Sequence, residues 1–176
     1  MNMQHNSDNN LSHSMLHYLF SIHKLREKNG YARVTDIAKE LDLTKGSVSI
    51  ALNNLKKKEL ICEDENKFFN LTDKGHHHVH QALTSRTLLY YFLKDFINVD
   101  QETAHNDSCL IEHLISDETT EKFFNFMKKL TSSENGKLAQ ELSIKTDLDL
   151  NKFNSYDDFI EVQHGNSYLS TGIIND

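Results

Sequence analysis

The chain has 176 residues, 38% of them hydrophobic and 26% charged, with a net charge of −7, no proline and six glycines. That allows one ordinary domain or two small ones, and no run of about 18 apolar residues marks a membrane span. The charge is uneven: residues 1–75 carry 11 Lys and Arg against 10 Asp and Glu, while residues 76–176 carry 8 against 16, so only the first part suits a polyanion such as DNA.

Residues 1–14, Asn- and Ser-rich, read as a disordered tail. They lack a basic start and an apolar core, so they are not a secretory signal. With only Cys62 and Cys109 available there is no disulfide framework, and the expectation is a cytoplasmic protein whose thiols are free or metal-bound.

In SMLHYLFSIHKLREKNG, Met15, Leu16, Leu19, Phe20, Ile22 and Leu25 form a helical stripe that Asn29-Gly30 ends. Thr35 or Asp36 is expected to cap a short helix facing inward through Ile37, Ala38 and Leu41. Thr44 is expected to cap a third, with Val48, Ala51, Leu52 and Leu55 inside. Two short helices about three residues apart read as a helix-turn-helix. Leu60, Ile61, Phe69 and Leu71 flank a polar tip, Glu63 to Lys67, and so predict a β-hairpin. Helix-turn-helix followed by hairpin is the order of a winged helix, expected over 15–75.

From His76 the pattern is helical again, in VHQALTSRTLLYYFLKDFINV, ETAHNDSCLIEHLIS and, with Asp117 as cap, ETTEKFFNFMKKLTSS. His76, His77, His78 and His80 read as a solvated helix start. These helices carry more apolar surface than one small unit needs, and a dimer interface is the natural sink. Residues 76–135 are therefore a helical dimerisation domain, and 136–176 an extension of uncertain structure. The fold class is mainly α.

In a winged helix the third helix enters the major groove. Its leading surface is Thr44, Lys45, Gly46, Ser47, Ser49 and Ile50. Lys45 suits a phosphate, the hydroxyls suit phosphates or base edges, and Ile50 suits a thymine methyl. Gly46 allows close backbone approach. Lys56, Lys57 and Lys58 read as a solvated face. In the wing only Lys67 is basic, and the acidic tip argues against a strong phosphate contact there.

One stretch remains: HNDSCLIEHLISD. On a helix His105, Cys109, Glu112 and His113 share one face, and their side chains are of metal-ligating type.

With these motifs in this order, the chain from about Leu16 to Leu130 resembles the DtxR/MntR family of metal-dependent transcriptional repressors. The resemblance implies a winged helix, a helical metal-binding and dimerisation domain, and Fe²⁺- or Mn²⁺-dependent binding of palindromic operators by homodimers. The family's ligand positions fall on His17, Cys109, Glu112 and His113, and a second-site histidine on His105. Its histidine in the long helix falls on Arg86, and a glutamate of iron-type members on Tyr90. Arginine cannot ligate, so the resemblance implies that the second site is lost or rebuilt. Iron-type members continue with a Pro-rich linker and an SH3-like domain, for which too few residues remain here.

A donor set of sulfur, two imidazoles and a carboxylate suits Fe²⁺, Zn²⁺, Co²⁺ or Ni²⁺ better than Mn²⁺, and with the resemblance Fe²⁺ is the expected metal. The expectation is a dimeric, metal-responsive repressor of transition-metal homeostasis. The competing reading keeps the winged helix but loses metal control, Arg86 supplying the charge at Glu112. A metalloenzyme or metal buffer is weaker: no HExxH motif or nucleophile–base pairing is present.

Overall fold

The computed structural model describes residues 11–132 and 146–165, the side chains of 161–165 excepted. Most of the expected tail, and parts of the expected extension (136–145 and 166–176), lie outside the described residues. The rest divides into two compact units, residues 11–79 and residues 80–132 with 146–165.

The first unit begins with α1 (His13–Asn29), whose N-cap Ser12 accepts a hydrogen bond from the Met15 N–H and whose C-cap Gly30 has φ +78°. That left-handed conformation is the reason a glycine ends the helix. Next come α2 (Val34–Glu40) and α3 (Lys45–Lys57). Thr44 caps α3 as expected, accepting from the Ser47 N–H. The cap of α2 differs from expectation: it is Arg33, with no side-chain cap bond, so neither Thr35 nor Asp36 plays that part. Strands β1 (Ile61–Glu63) and β2 (Phe69–Leu71) pair antiparallel, Cys62 opposite Asn70. A third stretch is stitched on by the Phe69 N–H donating to the Ala32 carbonyl at 2.9 Å. Leu19, Ile22, Ile37, Val48, Leu52, Leu55 and Leu60 are all essentially inaccessible, giving this winged helix one continuous apolar core. Gly75 closes it. A Cβ there would lie 2.1 Å from the Leu60 carbonyl oxygen, so only glycine lets the next helix start so close.

That helix, α4 (Asp73–Tyr91), is followed by a π-helical turn at Phe92–Phe96, then α5 (Gln101–Ile111) and α6 (Asp117–Thr131). The cap of α6 is Ser116, not Asp117. His80 is only 4% exposed, which corrects the view of the histidine run as wholly solvated. A helix with apolar neighbours on several sides buries whatever faces inward, and the His80 ring is amphipathic enough to go there.

The second unit shows where much of the surplus apolar surface goes. After α6 the chain returns through a 3₁₀ turn (Leu150–Lys152) and α7 (Tyr156–Gly165). Leu150, Phe153 and Phe159 join Leu88, Phe124 and Met127 in one buried cluster. Lys128 holds the return by donating to the carbonyls of Phe153 and Asn154, and the Asn151 amide donates to the Thr131 carbonyl at 3.2 Å. So Phe124 and Met127 are covered by the chain itself. Ile97, Leu110, Leu114 and Phe126 stay more than half exposed on the single chain.

Candidate metal centre and nucleic-acid interface

Within the helical unit the candidate ligands straddle a helix end. Cys109 lies in the last turn of α5, Glu112 is its C-cap, and His113 follows in the turn. The side chain of Glu112 is fully buried, and its Oε2 lies 3.6 Å from Nε of Arg86, itself 6% exposed, on α4. Neither carboxylate oxygen accepts a hydrogen bond from a described residue, and Arg86 Nε donates none. Burial pushes the Glu112 carboxyl up to about 8, and the Arg86 guanidinium opposes that rise without cancelling it. Cys109 is half-buried and in no disulfide among the described residues, and His105 and His113 are half-buried. The ligand atoms of Cys109, Glu112 and His113 do not all lie within 4.8 Å of one another. The carboxylate is turned toward Arg86.

A buried carboxylate with no hydrogen bond is costly. A guanidinium at ion-pair distance offsets part of that cost, and a divalent cation would offset more. The donor set also fits, since thiolate, imidazole and carboxylate together suit a borderline transition metal.

The Glu112 carboxyl gives a sign for pH. Its folded value lies above that of an exposed carboxyl, so the folded state holds a proton that the unfolded chain has released. This contribution to stability is fully present below about pH 4.5 and is lost as pH rises through about 8. In chelator, the melting temperature is expected to fall between pH 6 and pH 8.5, and Glu112→Gln to flatten that fall. An equal fall in the variant would assign the dependence to other groups. Tyr90, the other position where a second-site ligand is replaced, is buried against Ala104 and serves the core.

In the first unit, His17 on α1 is half-buried, with its Nε2 3.1 Å from Nε2 of His13. His13 was not singled out in the sequence, although its spacing of four from His17 was a usable signal.

The DNA-facing candidates all lie at the start of α3 or in the wing. Thr44, Lys45, Gly46, Ser47 and Ile50 are exposed, Ile50 to 66%, and Ser49 is half-buried. Ser49 spends its hydroxyl proton on the Lys45 carbonyl at 2.8 Å, and Ser47 shares a 2.9 Å bond with Thr44. Their oxygens can still accept. Gly46 is not required by packing: a Cβ would meet only Thr44 Oγ1, at 3.9 Å. It is the second residue of α3, and the open space beside it leaves room for close backbone approach. Asn53 and Asn54, exposed one turn after Ile50, were also missed, and the three-to-four-residue spacing shows them on the same face.

The wing tip is less acidic than its sequence suggests. Glu63 is paired with Lys56 at 2.6 Å and with Lys67 at 3.7 Å, and these lysines hold its carboxyl below the usual range. Asp64 accepts from the N–H groups of Asn66 and Phe68, both at 2.9 Å. Lys56 is thus not merely part of a solvated face.

Two family models match: the iron-dependent repressor N-terminal DNA-binding domain over residues 10–67, and the iron-dependent repressor metal-binding and dimerisation domain over 72–139. The transcriptional regulator MntR of Bacillus subtilis is 37% identical over 103 residues, covering 58% of this chain and 72% of that protein. MntR of Bacillus velezensis is 32% identical over 124 residues, covering 70% and 87%. The crystal structure of IdeR from T. acidophilum is similar in fold, with a TM-score of 0.53 at 23% identity over 64% of this chain and 53% of that one.

Proposed function

Since this chain belongs to the iron-dependent repressor family of metal-dependent transcriptional regulators, we propose that it is a cytoplasmic homodimer that represses metal-homeostasis genes when loaded with a divalent transition metal. The observation that carries the metal input is Glu112, fully buried, with neither oxygen hydrogen-bonded, at the end of a helix that also bears Cys109 and His113. Cys109, Glu112 and His113 would hold the ion, and the family pattern adds His17 and, for a second ion, His105. With Arg86 beside Glu112, one ion per chain is the expected load. Fe²⁺ is the first candidate because the matching family is described as iron-dependent; by donor type Zn²⁺, Co²⁺ and Ni²⁺ are equally suited and Mn²⁺ less so. When bound, the ion supplies the positive charge that the buried carboxylate lacks. Metal raises DNA affinity only to the extent that it binds the DNA-competent arrangement more tightly than others.

On the DNA side, Thr44, Lys45, Gly46, Ser47, Ser49 and Ile50 meet the major groove, and Lys67 a flanking phosphate. A homodimer has two-fold symmetry, so the operator is palindromic. The test is a titration of purified protein onto its selected operator in chelator and in Fe²⁺, Mn²⁺ or Zn²⁺, with metal content measured alongside. Tight binding in one metal at about one ion per chain is expected. Equal affinity in chelator and in every metal would instead mean that Arg86 has replaced the metal.

A further inference from the structure

We propose that Arg33 is a DNA-phosphate contact, held in place by a shelf of two aromatic rings at the root of the wing. This rests on the DNA-binding reading above and adds a residue outside the recognition helix.

The geometry is specific. The rings of Tyr31 and Phe68 stack at 5.1 Å, 25° from parallel. The Arg33 guanidinium carbon lies 4.6 Å from the Tyr31 centroid and 4.9 Å from that of Phe68. A guanidinium so placed is attracted by both ring faces, while its N–H edges stay available. Arg33 is nonetheless exposed, and no carboxylate lies within ion-pair distance of it among the described residues. The neighbouring lysines are differently placed: Lys24 pairs with Glu40 and Lys56 with Glu63, while Lys67 reaches Glu63 only at 3.7 Å from a largely exposed side chain with no ring beneath it among the described residues. Arg33 is therefore a pre-ordered cation whose charge is not spent inside the fold.

Its position says what it meets. Arg33 is the residue before α2, the first helix of the helix-turn-helix, and in that motif the first helix crosses the phosphate backbone while the second lies in the groove. Phe68 closes the wing, its N–H held by Asp64, so Arg33 sits where the wing and the helix-turn-helix meet. Arginine presents a planar fork that matches phosphate, and a side chain ordered beforehand loses less entropy on binding. The cost of ordering is met by the rings, which gives two half-buried aromatics at the edge of the core a role.

The test is fluorescence anisotropy of the full, Fe²⁺-loaded chain, kept anaerobic, on a labelled mixed-sequence duplex of about 30 base pairs, from about 50 to 200 mM salt. Arg33→Ala is expected to weaken binding about tenfold and to reduce the slope of log affinity on log salt by about 0.9 for each of the two Arg33 side chains of a bound dimer. Arg33→Lys should keep the slope but lose affinity severalfold. Phe68→Leu and Tyr31→Leu keep every charge and should behave like Arg33→Lys; either suffices if the other disturbs the wing. Lys45→Ala is the reference for binding through α3. If the wild type binds and Lys45→Ala weakens it while Arg33→Ala changes neither slope nor affinity, the proposal is overturned and the DNA reading stands. If Arg33→Ala acts but both ring variants match wild type, the shelf does not position the arginine. A wild type that binds no duplex overturns the DNA reading and this proposal together.

Discussion

Cys109→Ala and His113→Ala are expected to abolish the metal dependence of DNA binding. Each removes one donor from a small set, and losing a direct ligand should cost more than the 10–100-fold in metal affinity that is about usual for an outer-sphere change. At a metal concentration that saturates the wild type, both variants should bind the selected operator no more tightly than the wild type does in chelator. Both positions are half-buried, so the fold should survive, and an unchanged helical spectrum checks this. Measured metal content separates two failures: full metal with lost DNA binding would mean these residues transmit the signal without ligating. Wild-type affinity and unaltered metal response in both variants would remove them from the site. His17→Ala with full metal content would remove that residue from the ligand set.

Arg86→Ala should destabilise the chelated protein at high pH. It takes the guanidinium from 3.6 Å beside the fully buried Glu112 carboxyl. Breaking a buried pair from one side costs about 3–5 kcal/mol where the remaining charge must stay. Here the carboxyl keeps its proton instead, which limits the charge-related loss at pH 8.5 to about 1 kcal/mol. Two controls make the origin plain. The loss should shrink at pH 5.5, where a carboxyl that titrates near 8 carries its proton and needs no counter-charge. It should also shrink when metal is added, because the ion would supply Glu112 with the counter-charge that the variant lacks and so stabilise the variant more than the wild type, which already has Arg86. The measurement is the urea midpoint in chelator at pH 5.5 and pH 8.5, then with metal. A loss independent of pH would make the effect one of packing, since Arg86 also fills space along its stem.

The competition at Glu112 also explains the geometry. Arginine and metal ask for the same carboxylate. The structure shows it turned to the guanidinium, with no hydrogen bond formed. The pair is close enough to lower the cost of burial but not so well made as to end it. That leaves a margin for an ion to draw the carboxylate toward Cys109 and His113.

Much of the winged helix was readable in advance because its signals are local. Alternation of period 3.6 marked α1 and α3, Thr44 marked a cap, and a polar tip between two apolar pairs marked the hairpin. Where local signals were ambiguous the expectations slipped by a residue or more. Arg33 rather than Thr35 or Asp36 precedes α2, and Ser116 rather than Asp117 caps α6. Several side chains can accept the same N–H, and which one does depends on where the incoming chain runs.

The type and spacing of Cys109, Glu112 and His113 were evident from residue order alone, as was the replacement of a family ligand by Arg86. Three matters needed the folded chain, because each depends on residues far apart in sequence. Packing took Phe124 and Met127 into a core shared with Leu150, Phe153 and Phe159, from a segment whose own pattern was too weak to read. Pairing with Lys56 and Lys67 offset the charge of Glu63 in a wing tip that looked acidic. Burial brought Arg86 to Glu112 across 26 residues and set the charge state of the carboxylate. Periodicity and caps are properties of neighbouring residues and are written in the chain. Desolvation and counter-charge are properties of an environment, and no environment exists until distant segments meet.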